Sequence, residues 1–155
     1  MALGLRSVAF VDGDRIPVRH TCDGADGSPP LTWSGTPRGT GSFVLICRDP
    51  DAPAGTWYHW AVFDIPPDFS ALPAALAKTP RIGTLRQALN DFRRPGWGGP
   101  CPPRGHGLHH YQFRLLALAA TALALPADVE ARRVEAAADG LPVLAEARLT
   151  GVYSR

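Results

Sequence analysis

Apolar positions along this chain fall into short blocks broken by Gly and Pro, a rhythm that predicts strands rather than long helices. Ser42 to Cys47 is a continuous run of β-formers, as expected for a strand covered on both faces at the centre of a sheet. Trp57 to Phe63 predicts a second strand, and period-two alternation places Trp57, His59, Ala61 and Phe63 on one face. In a third, His109 to Leu118, the same alternation sends His109, Tyr111 and Phe113 one way and His110, Gln112 and Arg114 the other. Shorter strands are expected at residues 8–11, ahead of the Asp12-Gly13 turn, and at Arg148 to Tyr153. A single amphipathic helix is predicted over Ala127 to Ala138, with Pro126 near its first turn, Asp128 and Glu130 at its start and Gly140 past its end. Short helical turns are expected around Ala74 to Ala77 and over Pro142 to Ala147. Prolines exclude a long helix between Pro66 and Pro80.

Two breaks are too dense in Gly, Pro, Asp and Ser for regular structure: Thr21 to Leu31, and Gly98 to Gly107. The second runs straight into the histidine-bearing strand. Its prolines preset the backbone and its glycines permit close approach, as suits a ligand cradle. The Asp/Gly run at 23–27 lacks the spacing and terminal Glu of a calcium loop. Asp49-Pro50-Asp51-Ala52-Pro53 halts the central strand and fixes two carboxylates in a turn. Asp49, His59 and His109 therefore each lie at a strand end or beside a Gly/Pro loop, where sites are commonly built. Taken singly, a histidine in a strand is more often a hydrogen-bonded structural residue, and Asp-Pro-Asp is most often only a turn. Whether the three converge depends on the fold.

At 155 residues and 45% hydrophobic, the chain fits one domain, 1–155, with a sizeable core. A net charge of +2 without a basic run argues against a nucleic-acid partner. No signal peptide and no membrane-spanning run is recognisable, so no membrane insertion and a cytoplasmic location are expected. Three cysteines, Cys22, Cys47 and Cys101, are odd in number and widely spaced. They read as free thiols in a reducing compartment, with a Cys22–Cys101 bridge as the alternative.

Several motifs in order carry a resemblance: Ile16-Pro17 to Leu31-Thr32-Trp33, Asp49-Pro50-Asp51-Ala52-Pro53, His59-Trp60, Gly99-Pro100-Cys101-Pro102-Pro103 to His109-His110-Tyr111, and Leu149-Thr150-Gly151-Val152-Tyr153. The chain resembles bacterial members of the phosphatidylethanolamine-binding protein family, also called the Raf kinase inhibitor protein family, over nearly its whole length. That resemblance implies a mainly β fold: a large central antiparallel sheet, a smaller sheet packed against it and short peripheral helices. It also implies a small pocket for phosphate-like anions, walled by Asp49, His59, Pro102, Gly105, His109 and Tyr111. The chain departs from the family pattern in two places. His110 stands where such proteins usually carry Arg, which puts a neighbouring surface ion pair in doubt, and Arg93-Arg94-Pro95 replaces a common glycine, giving a more basic rim.

The expected function is a non-enzymatic binding module for phosphorylated ligands or phospholipid head groups, without cofactor or metal, that regulates partner proteins the sequence does not identify; a homodimer stays open. Two imidazoles, a phenol and backbone amides are suitable donors to phosphoryl oxygens. One alternative is a small-ester hydrolase working through Asp49, His59 and His109, although no Ser-centred nucleophile motif is present. Another makes His59, His109 and Cys101 zinc ligands, at a spacing that matches no known zinc signature.

Overall fold

The computed structural model describes residues 1–155. Nine strands run in chain order: β1 Gly4–Arg6, β2 Leu31–Ser34, β3 Ser42–Asp49, β4 Trp57–Ile65, β5 Ala71–Leu72, β6 Arg81–Ile82, β7 Leu85–Gln87, β8 His109–Leu118 and β9 Val143–Tyr153. One α-helix, α1 Ala131–Asp139, lies between β8 and β9, and Val18–His20 forms a single 3-10 turn. The strands build a three-stranded sheet, β1-β2-β5, and a six-stranded sheet, β6-β7-β4-β3-β8-β9. Every named strand pair is antiparallel. This is the mainly β, two-sheet architecture that the resemblance implies.

The alternation within β3 explains why its run is unbroken. Phe43, Leu45 and Cys47 face the small sheet and pack with Leu31, Trp33 and Leu72, whereas Val44 and Ile46 face α1 and pack with Ala131, Val134 and Ala138. A strand with a layer on each side has no polar face to spare. The helix is pinned by charge as well. Glu135, 4% exposed, accepts from Arg48 (2.8 Å), Arg114 (2.7 Å) and the Tyr58 hydroxyl (2.5 Å).

Four local expectations change in the folded chain. Residues 8–11 form no strand. Instead β1 pairs with β2, and Phe10 enters the core against Phe113 at 5.9 Å. The helix starts at Ala131 rather than Ala127, because residues 129–131 are drawn into backbone bonds with Leu89: Leu89 donates to the Val129 carbonyl and Ala131 to the Leu89 carbonyl. Pro142 to Ala147 is not helical, since from Val143 onward it pairs with β8 in the ladder that continues to Tyr153. In the proline-rich stretch, Ala71–Leu72 pairs with β2 and Ala75 takes a φ of 56°, so no helical turn forms there.

The largest correction to the expected faces lies in β4. Arg48 pairs with Tyr58 but Cys47 pairs with Trp60, leaving His59 as the extra residue of a β-bulge. The bulge turns both His59 and Trp60 toward the small-sheet side. Ala61 and Phe63, expected on the His59 face, pack against the helix instead.

Cysteine chemistry changes too. Cys22 and Cys101 are joined in a disulfide with Cα atoms 5.4 Å apart, and only Cys47, buried in the core, is a free thiol. Of the two readings of the odd cysteine count, the bridge prevails because the fold lays the loop at 21–27 against the loop at 98–103. Cys22 N–H donates to the Pro100 carbonyl (3.1 Å) and Gly99 N–H to Asp26 Oδ1 (2.9 Å). The acidic run thus holds loops together: Asp23 Oδ2 also accepts the Tyr153 hydroxyl at 2.6 Å.

Candidate functional site

The C-terminal end of β3, the start of β4 and the start of β8 meet beneath the Gly/Pro loop, and a cavity of about 230 Å³ opens there. Asp49, His59, His109, Tyr111 and Pro102 all line it. Gly105 does not: its amide donates to the Arg155 carbonyl at 3.0 Å. Trp57, Phe92, Ala52, Pro53, Cys101 and Pro103 complete the wall. Phe92 is the one the sequence hides, because nothing in Asn90-Asp91-Phe92 sets it apart from a turn. It is 41% exposed and lies edge-on to Trp57 (5.3 Å) and His59 (5.6 Å).

Three strands deliver side chains by three devices. Plain alternation puts His109 and Tyr111 on the cavity face of β8, with rings 6.5 Å apart and near parallel. The bulge delivers His59, whose ring meets Tyr111 edge-on at 5.1 Å. Asp49 arrives as the last residue of β3. Its Oδ1 accepts the Asp51 amide (2.7 Å), which closes the Asp-Pro-Asp turn, and its Oδ2 accepts His109 Nδ1–H (2.6 Å). Because an ionised carboxylate can only accept, this contact fixes the hydrogen on His109 Nδ1. Asp49 is thereby assigned the orienting task.

His109 Nε2 faces His106 Nδ1 at 2.6 Å, so both nitrogens of His109 are occupied within the protein. His106 was not among the expected site residues. Its position three residues before His109, between Gly105 (φ 76°) and Gly107 (φ 97°), is the signal that could have found it. His110 points outward, as alternation requires, and its amide and Nδ1 both reach Asp51 Oδ2 at 2.8 Å. At the position where the resemblance implies an arginine, His110 is thus hydrogen-bonded to Asp51.

His59 Nδ1–H donates to the Gly98 carbonyl at 2.5 Å, which leaves Nε2 as a lone pair without a protein partner. Burial pushes the His59 pKa down, against the opposing pull of the Gly98 carbonyl and Asp49. Near neutral pH this ring is an acceptor rather than a cation. Burial, and then the fields of Asp49 and Cys47, pushes the Tyr111 phenol up, so it stays protonated and makes no hydrogen bond within the protein. The cavity therefore presents one hydroxyl donor, one imidazole acceptor and an oriented carboxylate within apolar walls. Cys101 is held in the disulfide, which removes it as a zinc ligand, and no cluster of three His, Cys, Asp or Glu is arranged to hold a metal ion.

A two-sheet β protein with a small cavity where three strand ends meet a Gly/Pro loop is the class that fold and site define. Residues 6–154 match the phosphatidylethanolamine-binding protein family. A UPF0098 protein of Aquifex aeolicus is 47% identical over 149 residues, spanning 96% of this chain and 86% of that protein. The crystal structure of Escherichia coli YbcL superposes with a TM-score of 0.93 at 34% identity, covering all of this chain and 99% of that one. A Chlamydia trachomatis homologue, CT736, gives 0.87 at 36% identity, covering 99% and 98%. The chain belongs to the phosphatidylethanolamine-binding protein family. No helix is long and apolar enough to cross a membrane.

Proposed function

We propose that this protein binds a small phosphate monoester, a phospholipid head group or another phosphorylated ligand, without catalysing its turnover, and that it regulates partner proteins through the liganded site. The observation that carries the reading is the pairing, in one apolar cavity, of the Tyr111 hydroxyl with the unpartnered His59 Nε2. A protonated phosphate oxygen can donate to His59 while an unprotonated one accepts from Tyr111. Sulfate can satisfy only the second contact. At about 230 Å³ the cavity is smaller than sites for drug-sized ligands but holds a head group.

Calorimetry with inorganic phosphate, phosphoethanolamine and sulfate at pH 7 tests this. The expected result is that the first two bind ~10-fold or more tightly than sulfate, the factor that ~1.4 kcal/mol of unmatched acceptor–acceptor contact produces. Equal affinities reject the His59 contact, and no binding of any of the three rejects the function.

Ester hydrolysis stands second, on the Asp49–His109 pair, which resembles the acid and base of a nucleophilic triad. Where the nucleophile would sit, His109 Nε2 meets another imidazole. That arrangement favours binding over acyl transfer.

A further inference from the structure

We infer that His106 is a working member of the anion site: it is the solvent-side port through which the buried His109–Asp49 pair gains a proton each time an anion enters. This deepens the binding reading above and rests on it.

The argument begins with counting hydrogens. Asp49 fixes one on His109 Nδ1, and one more must lie between His109 Nε2 and His106 Nδ1 at 2.6 Å. In the uncharged state that completes both rings, and His106 Nε2 is left as a bare acceptor. His59 and Tyr111, which face the same ring from β4 and β8, are neutral near pH 7 by the burial described above. Asp49 from β3 then gives the wall a net negative charge, and Asp51, in the turn just beyond, adds to it. Arg155, packed on the same loop, is committed to Asp23 at 3.3 Å, and Arg104 makes no hydrogen bond or ion pair. The resting wall thus offers an anion neutral donors, the Tyr111 hydroxyl among them, against a net negative charge.

One proton on the imidazole pair removes that obstacle. It cancels the Asp49 charge and turns His106 Nε2 from a bare acceptor into an N–H donor. His109 is 2% exposed with both ring nitrogens engaged, whereas His106 is exposed with its Nε2 free, so the proton enters through His106. An anion that enters with a proton raises the proton affinity of the pair, and the coupling is reciprocal.

Sulfate is the probe, because it stays a dianion from pH 5 to 8 and every proton taken up belongs to the protein. Calorimetry across that range should show sulfate affinity falling by ~10-fold per pH unit on the alkaline side, the slope for one proton per anion. In His106→Gln the amide still donates to His109 but cannot become charged. It should keep the wild-type melting temperature, lose the pH slope, and bind sulfate at pH 5.5 at least ~10-fold more weakly than the wild type. A pH-independent sulfate affinity in the wild type, or a full slope in His106→Gln, overturns the inference. Binding of phosphate but not of sulfate at any pH also overturns it, since the proton would then be the ligand's own, and leaves the anion site standing. Failure of both ions to bind overturns the two readings together.

Discussion

Tyr111 offers the sharpest test among single residues, because its hydroxyl lines the cavity and makes no hydrogen bond within the protein. Deleting it in Tyr111→Phe keeps the ring, its edge contact with His59 and the β8 face, and removes only the donor to the ligand. Hydrogen bonds to charged groups contribute about 1.5–3 kcal/mol, so phosphate should bind roughly 10- to 100-fold more weakly to a protein of near-normal stability. Calorimetry beside a thermal melt checks both halves, and an unchanged affinity would remove Tyr111 from the site. At this scale the motifs made much of the wall legible: Asp49, His59, Pro102, His109 and Tyr111 all line one cavity. Gly105 does not, because the sequence cannot reveal that its amide is taken by Arg155. His106 was passed over for a related reason: its importance comes from one contact with a ring three residues away, and i,i+3 proximity in a loop is not implied by any periodicity.

Elements were legible where one long pattern dominated and illegible where a distant partner decided. The β8 boundaries, His109 to Leu118, agree with the expectation because the run is long, largely apolar and set off at its start by the Gly/Pro loop. Pro142 to Ala147 looked helical because Leu and Ala favour helices, yet the β8 ladder decides its conformation. The bulge at His59 was equally hidden, since local alternation carries no mark of an extra residue. A similar dependence on distant partners governs the two loops that the disulfide joins across 79 residues of sequence. Closing a loop of that size restricts the unfolded chain, so Cys22→Ser with Cys101→Ser should cost about 2–4 kcal/mol in denaturant unfolding. The bridge also walls the cavity through Cys101, and phosphate affinity should fall alongside stability. A thiol reagent gives an independent check. The native protein should react at no cysteine, because burial pushes the Cys47 thiol well up, the denatured protein at Cys47 alone, and the denatured, reduced protein at all three. Reaction of the native protein at Cys22 or Cys101 would mean that the loops are not joined.

Across the whole molecule, binding and stability are assigned to opposite faces of the six-stranded sheet. The cavity opens on the face toward the small sheet, and the Arg114 network occupies the face toward α1. Arg114, 7% exposed, reaches Glu135 (2.7 Å), Glu146 (2.7 Å) and Asp139 (3.2 Å), tying β8 to both the helix and β9. Hydrogen bonding to Arg114 is the chief influence holding the Glu146 pKa down to about 2. A carboxylate held below its unfolded value stabilises the fold at pH above that value and ceases to do so as pH falls through the folded one. Stability should therefore decline from about pH 4.5 toward pH 2 through Glu146. His59 acts in the same direction at higher pH: buried and neutral, it resists a proton that the unfolded chain accepts below ~6.5. Replacing Arg114 with Met leaves Glu135 with Arg48 and Tyr58 only, and strips Glu146 of its main partner. Breaking a buried pair in this way typically costs about 3–5 kcal/mol. In urea unfolding at pH 7, Arg114→Met should lose that amount, and the part of the acid decline due to Glu146 should shrink because its pKa returns toward normal. Phosphate affinity of the folded variant should stay within about twofold of wild type, since the cavity shares no side chain with the network and separated sites act nearly additively. A large loss of affinity in a protein that remains folded would mean that the two faces of the sheet are coupled through β8, and that the helix side tunes the site.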